Sequence, residues 1–246
     1  MSSTYEEPLI RCSGGYVVYV ELCRGINLEC NKYVHALYYL IKEGIRGGEV
    51  VGISELVPAY SSLTIFYDPN QVDSSKLINY VRSVWRYVRE VGTSELVRPT
   101  KYRVPVAYGG EYGPDLEEVA ELTGLSTEEV IKLHTSREYV CFMLGFTPGF
   151  LYLGEVDDRI AVPRLPSPRS RVPKGSVGIA GKQTGIYGTE APGGWRLIGR
   201  TPVTTFDPRK EPPTPIKPGD LITFYPISHE DFRRFEGVFI SECRGS

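Results

Sequence analysis

The sequence predicts an α+β N-terminal domain followed by a β-barrel domain. Before residue 98, two stretches with apolar residues at helical spacing stand among short strand-like runs. After Tyr139 the composition changes, because residues 145–227 contain 13 of the 19 prolines and 12 of the 26 glycines. Short β-rich runs divided by such turn residues are typical of a closed or nearly closed barrel. We therefore place the domain boundary between residues 98 and 99.

The first domain, residues 1–98, is predicted to have the order β-β-α-β-β-α, a small antiparallel sheet covered by two helices. Asn27 precedes the first helical pattern and Asp73 the second, and both residue types favour a helix N-cap. The elements are expected at residues 9–22 (two strands), 28–45 (helix), 50–57 and 63–67 (strands) and from residue 73 onward (helix).

The second domain, residues 99–246, begins with a predicted strand at residues 102–107. Pro105 lacks the backbone N–H that a central ladder needs, so we expect this strand at an edge. Two short helices follow from Asp115 and from Ser126, and a Glu three residues after Ser126 completes a capping-box pattern. Further β-rich runs stand at residues 176–180, 195–198, 203–206 and 221–225.

The composition is that of a globular protein without a membrane span. Apolar residues make up 41% and charged residues 24% of the chain of 246 residues. The N-terminus lacks the basic start and apolar segment of a signal peptide, and no apolar run is long enough to cross a bilayer. We therefore expect a cytoplasmic location.

The five cysteines predict neither a disulfide framework nor a zinc site. Their number is odd, and no pair has C-x-x-C spacing. Free cysteine is among the residue types most often buried. We therefore expect reduced, buried thiols at Cys12, Cys23, Cys30, Cys141 and Cys243.

Charge is unevenly distributed along the chain. The net charge of −2 argues against general nucleic-acid binding. Residues 159–200 nevertheless hold eight Lys or Arg against a single acid, Glu190, which leaves this stretch at +7. A local positive field on an otherwise acidic chain suits a small anionic ligand or an acidic partner surface. A solvated basic face is the alternative.

The common catalytic motifs are absent from the sequence. Residues 175–184 resemble a phosphate-binding loop, but Ser176 stands where Walker A needs its first Gly, and Gln183 stands where it needs Ser or Thr. G-x-G-x-x-G and G-x-S-x-G do not occur, and the three histidines have no metal-ligand spacing. The sequence therefore predicts no metal site and leaves the catalytic residues unknown.

Turns rich in glycine and proline between residues 145 and 220 carry Arg, Gln, Thr and Trp side chains. Arginine offers a bidentate fork to a carboxylate or phosphate, and a glutamine side chain both donates to and accepts from an amide. Glycines let backbone N–H groups approach an anion. These residue types are what a small polar ligand needs.

The same turns form an ordered set of motifs: G-F-T-P-G-F-L-Y-L, P-R, P-R, V-P-K-G-S-V, Q-T-G-I-Y, P-G-G-W, I-G-R-T-P, F-D-P and P-G-D. They stand at residues 145–153, 163–164, 168–169, 172–177, 183–187, 192–195, 198–202, 206–208 and 218–220. In this order they resemble the signature of the B-type component of ATP-dependent 5-oxoprolinase. That family is also called KipI, allophanate hydrolase subunit 1 or carboxyltransferase subdomain C/D. Leu151 and Gly188 stand where the family usually has Pro, which affects loop stiffness more than ligand chemistry.

The resemblance implies a cyclophilin-like barrel and a reaction shared between subunits. That reaction is the cleavage of 5-oxoproline to glutamate, with ATP and magnesium as co-substrate. The implied partners are a C-type subunit (KipA-like, or allophanate hydrolase subunit 2-like) and an A-type subunit (LamB/YcsF-like). The chain carries no recognisable nucleotide-binding motif, so we expect it to be inactive alone.

Seven side chains are candidates for binding this small anionic amide. The arginines of the two P-R pairs would hold carboxylate or phosphoryl oxygens. Gln183 and Thr184 would contact the lactam amide, and Trp195 would form an apolar wall. His134 lies near a predicted helix end, where a histidine is as often a helix cap or a core residue as a ligand contact. The full set is Arg164, Arg169, Gln183, Thr184, Trp195, Arg200 and His134.

Two other functions remain open on the sequence alone. A KipI-like inhibitor of a sensor histidine kinase could use the same barrel surface. A subunit of a urea- or allophanate-processing carboxyltransferase would need a biotin-carrying partner, because this chain has no Met-Lys biotin acceptor.

Overall fold

A computed structural model describes residues 4–245 and divides the chain into two units. The N-terminal unit comprises residues 1–98 and the barrel unit residues 99–246. Each unit has its own apolar core. Over the residues described, no helix is both long and apolar enough to cross a membrane.

The N-terminal unit is built from four strands and two helices. These are β1 (Leu9–Ser13), β2 (Val17–Glu21), α1 (Leu28–Gly47), β3 (Ile53–Pro58), β4 (Ser62–Tyr67) and α2 (Ser74–Val91). The strands form an antiparallel sheet in the order β1-β2-β4-β3. The order of elements is the one the sequence predicts.

Capping and periodicity explain why the two helices form where they do. The Asn27 side chain accepts a hydrogen bond from the Cys30 N–H at 2.9 Å, and Asp73 accepts one from the Ser75 N–H at 2.8 Å. One face of α2 repeats at helical spacing and packs into the core. Its buried residues are Leu77, Val81, Trp85 and Val88.

The cysteine prediction is wrong for one pair, because Cys23 and Cys30 form a disulfide. Cys23 follows β2 and Cys30 lies in the first turn of α1, and their Cα atoms are 6.4 Å apart. That distance is within the span of a disulfide. The seven-residue separation belongs to no common motif, so spacing rules miss it. Cys12, expected to be buried, is free and exposed.

Seven strands of the barrel unit close into a barrel, which confirms the barrel expected from the sequence. With two further strands outside the barrel, the strands of this unit are β5 (Lys101–Tyr108), β6 (Glu138–Leu144), β7 (Leu151–Gly154), β8 (Arg169–Val172), β9 (Ser176–Ala180), β10 (Gln183–Ile186), β11 (Ala191–Gly193), β12 (Arg196–Arg200) and β13 (Leu221–Ile227). Around the barrel the order is β10-β7-β6-β13-β5-β12-β9, and β8 pairs with β11 in a separate two-stranded sheet. The helices are α3 (Leu116–Thr123) and α4 (Thr127–Thr135), with short 3₁₀ turns at Asp158–Ile160, Asp231–Phe235 and Ile240–Cys243.

The first barrel strand is not at an edge, so that expectation is wrong. Residues 101–107 of β5 pair in parallel with β13, whereas β12 pairs only with Ala107 and Tyr108 on the other side. Pro105 therefore lies in a stretch of β5 without a β12 ladder. A residue that lacks an N–H is tolerated there because no hydrogen bond to β12 is lost.

Helices α3 and α4 begin at the predicted residues. Asp115 and Ser126 occupy their N-cap positions. The Ser126 side chain accepts from the Glu129 N–H at 3.2 Å and the Glu129 carboxylate accepts from the Ser126 N–H at 2.8 Å, which confirms the capping box. Residues 203–206 do not form the predicted strand, because they contribute one isolated bridge at Thr204.

Candidate functional site

The outer surface of the barrel carries an aromatic cluster, which we define as Phe150, Tyr152, Tyr187 and Trp195. The ring centroids of Phe150 lie 4.8 Å from Tyr187 and 5.3 Å from Trp195. The alternation of a strand explains this position, because Ile186 belongs to the inner core and the next residue, Tyr187, to the outer cluster. The motifs around residues 150, 187 and 195 therefore meet on one surface.

Arg164 lies at the exposed side of this cluster. Its guanidinium carbon is 5.9 Å from the centroid of the Trp195 ring. Burial raises the pKa of Tyr152, and the positive charge of Arg164 offsets part of that rise. Within residues 4–245, no carboxylate lies at ion-pair distance from Arg164. This guanidinium can therefore donate hydrogen bonds to a carboxylate or phosphoryl group of a ligand.

Arg169, the second predicted arginine, already has a carboxylate partner. It donates to the two carboxylate oxygens of Asp115 at 2.9 and 2.5 Å. Asp115 is 5% exposed, and its Oδ2 also accepts the Leu197 N–H at 2.6 Å. This arrangement fastens β8 to the start of α3 and to β12. Asp115 was missed by sequence reasoning, which treated it only as a helix start.

Most of the positive charge between residues 159 and 200 is neutralised by internal ion pairs. Those pairs are Arg159–Asp157, Arg169–Asp115, Arg171–Glu190, Lys182–Asp158 and Arg196–Glu118. In the described part of the chain, Arg164, Lys174 and Arg200 have no such partner. The positive field expected from the sequence is therefore restricted to these three side chains.

His134 and Thr184 face each other inside the barrel. Both are fully buried. The Thr184 hydroxyl donates to the Gly178 carbonyl at 3.0 Å, so it must accept from His134 Nε2, 2.8 Å away. His134 Nδ1 then accepts from the Tyr108 hydroxyl at 2.8 Å. A neutral imidazole satisfies every bond, and burial lowers the pKa of His134 to about 3.

A ligand on the surface cannot reach this pair, and we propose that both residues have a structural role. Gln183 is 7% exposed and starts β10, where strand alternation places it on the same outer face as Tyr187. Trp195 is 4% exposed, so only the edge of its ring is accessible. Ligand contacts by Gln183 and Trp195 remain predictions.

A second feature, which we call the basic pocket, was not predicted from the sequence. It encloses about 450 Å³ and is lined by Lys174, Thr189, Thr204, Asp207, Arg209 and Lys210, together with two phenylalanine rings. Pockets of this size are typical of small-ligand sites. Its walls come from the V-P-K-G and F-D-P motifs, whose Gly and Pro residues indicated turns but not the cavity between them.

Two glycines shape the turns around the basic pocket. Gly175 has φ +83°, and a Cβ at this position would lie 2.3 Å from the Thr201 carbonyl oxygen. Gly149 has φ +71°, and its Cβ would lie 2.2 Å from the Cβ of Phe206. Only glycine fits such positions. Arg200 supports the same turn, because its Nε donates to the Lys174 carbonyl at 2.8 Å.

No three His, Cys, Asp or Glu side chains within residues 4–245 are grouped closely enough to hold a metal ion.

Comparison with known proteins identifies relatives over most of the chain. The model of the carboxyltransferase domain, subdomain C and D, matches residues 8–216. The B-type component of the 5-oxoprolinase of Bacillus subtilis is 45% identical over 218 residues, covering 86% of this chain and 89% of the relative. The protein of the same name from Escherichia coli O157:H7 is 40% identical and covers 72% and 80%. A urea amidolyase of Saccharomyces cerevisiae is 23% identical, and the match covers 84% of this chain and 12% of that protein.

Solved structures agree with this relationship. TTHA0988 is 35% identical with a TM-score of 0.74, and the match covers 89% of this chain but only 40% of TTHA0988. The conserved uncharacterised protein PH0987 from Pyrococcus horikoshii is 44% identical with a TM-score of 0.53, and the match covers 91% of this chain and 100% of PH0987. The chain thus matches the whole of one solved protein and less than half of another.

Proposed function

We infer that the chain, which belongs to the carboxyltransferase subdomain C and D family, is the B-type component of a 5-oxoprolinase. The observation that carries this conclusion is the 45% identity to the Bacillus subtilis protein over 86% of this chain and 89% of that protein. The match to urea amidolyase, at 23%, is more distant. As one component of a 5-oxoprolinase, the chain takes part in the hydrolysis of a cyclic amide.

We propose that the assembled enzyme uses ATP with magnesium. The lactam amide is a poor electrophile, and transfer of the γ-phosphoryl group to its oxygen turns that oxygen into a leaving group. Water then adds to the carbon that carries the phosphorylated oxygen, and the ring C–N bond opens, with the nitrogen taking up a proton, to leave an acyl phosphate. A second water hydrolyses this acyl phosphate and releases glutamate and inorganic phosphate. Such a reaction depends on positioning and on stabilisation of charge on oxygen.

Arg164 and the aromatic cluster support a binding role for the barrel unit in this reaction. Arg164 is an exposed cation beside the ring of Trp195, and no carboxylate among residues 4–245 pairs with it. We propose that it holds a carboxylate or phosphoryl oxygen, with the edge of Trp195 as an apolar wall and Gln183 toward the lactam amide. The closed barrel corresponds, in this proposal, to the cyclophilin-like barrel of the family.

The relatives are named as one subunit of a 5-oxoprolinase, which implies further subunits. We propose that these are the A-type and C-type proteins of the family and that the catalytic site is completed only in the assembly. The test is to co-express the three subunits and to measure glutamate released from 5-oxoproline with and without ATP.

Glutamate should appear only when ATP and all three subunits are present. Robust turnover by the isolated chain would exclude a shared site. If the complete assembly forms but releases no glutamate, the 5-oxoprolinase function is wrong, and inhibition of a sensor histidine kinase becomes the next candidate to test.

Arg164→Ala should lower kcat/KM of the assembly by ~10- to 100-fold, because a charge-assisted hydrogen bond contributes about 1.5–3 kcal/mol. Arg171→Ala is the matched control, since Arg171 is also exposed but paired with Glu190 at 2.7 Å. Equal activity in both variants would remove Arg164 from the site. Thermal unfolding of each variant checks that the fold is retained.

A further inference from the structure

The basic pocket contains two ammonium groups that form no ion-pair contact with the residues described, 4–245. Within the described residues, no carboxylate lies at ion-pair distance from Lys174 or Lys210. Lys174 Nζ contacts the Thr204 hydroxyl at 3.3 Å, and Lys210 Nζ lies 5.4 Å from the centroid of the Phe239 ring. Each lysine therefore retains hydrogen-bond donors for a ligand.

The two acids of the pocket are engaged elsewhere. Asp207 accepts from Arg209 Nε at 2.9 Å and Nη2 at 2.9 Å, and these bonds, with the nearby Lys174, lower its pKa to about 2. Glu242 accepts the Phe239 N–H at 2.9 Å. Asp207 forms its ion pair with Arg209 and acts on Lys174 only through its charge, and the lining as a whole has three cations against two anions.

The backbone that presents Lys174 is held on three sides. The Gly175 N–H donates to the Tyr187 carbonyl at 2.8 Å, the Thr201 N–H donates to the Gly175 carbonyl at 2.9 Å, and Arg200 binds the Lys174 carbonyl. The hydroxyl of Thr189, on the opposite turn, donates to the Pro148 carbonyl at 3.3 Å. The backbone of this turn therefore needs little reordering when a ligand binds.

We propose that the basic pocket binds an oxyanion of a small molecule, held by Lys174 and Lys210 beside the hydroxyl of Thr204, which accepts from Lys174 and keeps its own proton to donate. Lysine acts as a point charge on carboxylate or phosphate, and the pocket volume of about 450 Å³ accommodates a small metabolite or part of a nucleotide. The site itself follows from these contacts. The two sources considered, the carboxylate of the lactam substrate and the phosphate of the nucleotide, rest on the proposed function.

Calorimetric titration of the isolated chain near physiological salt separates these sources. The probes are 5-oxoproline, pyrrolidin-2-one (the same lactam without the carboxylate), ATP and inorganic phosphate. Binding of 5-oxoproline but not pyrrolidin-2-one assigns the substrate carboxylate. Binding of ATP and phosphate without 5-oxoproline assigns the nucleotide. If none of the four probes binds at millimolar concentration, the proposal is wrong.

The variants Lys174→Met and Lys210→Met should each raise the Kd of the bound probe about tenfold or more, the scale of one charge-assisted hydrogen bond. Lys132→Met, an exposed lysine of α4 outside the pocket lining, is the control and should leave the Kd unchanged. An equal Kd in all three variants and the original chain overturns the proposal. Because binding is measured without turnover, the pocket can hold even if the assembly releases no glutamate, and it can fail while the assembly remains active.

Discussion

The two units differ most in what their interiors contain. Among the described residues, buried polar side chains of the N-terminal unit are limited to Asn31, His35 and Ser62. The barrel unit buries a larger and more charged set: Asp115, His134, Ser176, Gln183, Thr184, Arg196, Thr201, Thr205 and Asp220. Such groups are costly unless each finds a partner. An apolar core stabilises a fold, whereas a satisfied polar network also fixes the position of individual side chains.

The networks of the barrel unit explain how surface groups obtain fixed positions. Asp115 holds Arg169 and thereby the sheet of β8 and β11, and Arg196 pairs with Glu118 of α3 while donating to the Pro163 carbonyl at 3.0 Å. Pro163 directly precedes Arg164, the arginine of the candidate site that pairs with no carboxylate among the described residues. The N-terminal unit instead uses a disulfide and a contiguous apolar core.

The largest test of this comparison is to separate the units. The two apolar cores have no residue in common, since one ends at residue 97 and the other begins at residue 102. We expect the fragment 99–246 to fold and to unfold cooperatively on heating. A fragment that is insoluble, or that melts without a cooperative transition, would show that the units depend on a shared core.

Asp115→Ala should destabilise the barrel unit by ~3 kcal/mol, measured by urea unfolding. Removing one partner of a buried ion pair costs ~3–5 kcal/mol, and the lower end applies because Arg169 keeps 31% of its side chain exposed. The matched control is Glu190→Ala, which breaks the exposed pair between Glu190 and Arg171 of β8. It should cost no more than ~1 kcal/mol. Equal losses would mean that Asp115 does not anchor the sheet of β8 and β11.

Reduction of the disulfide should affect the N-terminal unit alone. Closing a loop across the seven-residue separation of Cys23 and Cys30 contributes about 2–3 kcal/mol in the chain-entropy account. The double variant Cys23→Ala/Cys30→Ala should therefore lower the unfolding midpoint of that unit. The unfolding transition of the barrel unit should stay unchanged. Cys12→Ala is the control, because Cys12 is free and exposed. Mass spectrometry after thiol labelling checks that the pair is oxidised in the native chain.

Local patterns account for what the sequence predicted correctly. The Asn27 cap, the Ser126–Glu129 capping box and the apolar face of α2 each depend on residues a few positions apart in the sequence. Periodicity and capping rules therefore detect them. The barrel was recognisable from its frequent Gly and Pro turns. Pro105 led to the wrong prediction that β5 lies at an edge. The rule for proline in sheets does not show that β12 pairs with only two residues of β5, which leaves Pro105 without a β12 partner.

Long-range pairings account for what the sequence could not show. Arg169 and Asp115 are 54 residues apart, and His134 and Thr184 are 50 apart. No spacing rule connects such pairs, so three of the predicted ligand-binding residues, Arg169, His134 and Thr184, are engaged in internal networks instead. The basic pocket was missed for the same reason, because Lys174 and Lys210 lie far apart in the sequence and no spacing rule connects them.

The last and smallest expected effect concerns pH and the buried histidine. His134 stays neutral in the native barrel because burial lowers its pKa to about 3, whereas an unfolded histidine has a pKa of about 6.5. Between these values the unfolded chain binds one more proton than the native chain, so stability is complete above the unfolded pKa and falls as the pH drops below it. Lowering the pH from about 7.5 to about 5.5 should therefore reduce the free energy of unfolding by ~1.4 kcal/mol through His134.

His134→Gln tests this contribution, because glutamine does not titrate. The variant should be less stable at about pH 7.5, since the bonds to Tyr108 and Thr184 are disturbed, but its stability should fall less between the two pH values. Tyr108 and Tyr139, which pack against the imidazole, do not contribute in this range because burial raises the pKa of both. Urea unfolding of both proteins at both pH values gives the difference. An unchanged pH dependence in the variant would mean that His134 takes up a proton in the native barrel as readily as in the unfolded chain, and the hydrogen-bond pattern derived for Thr184 would then be wrong.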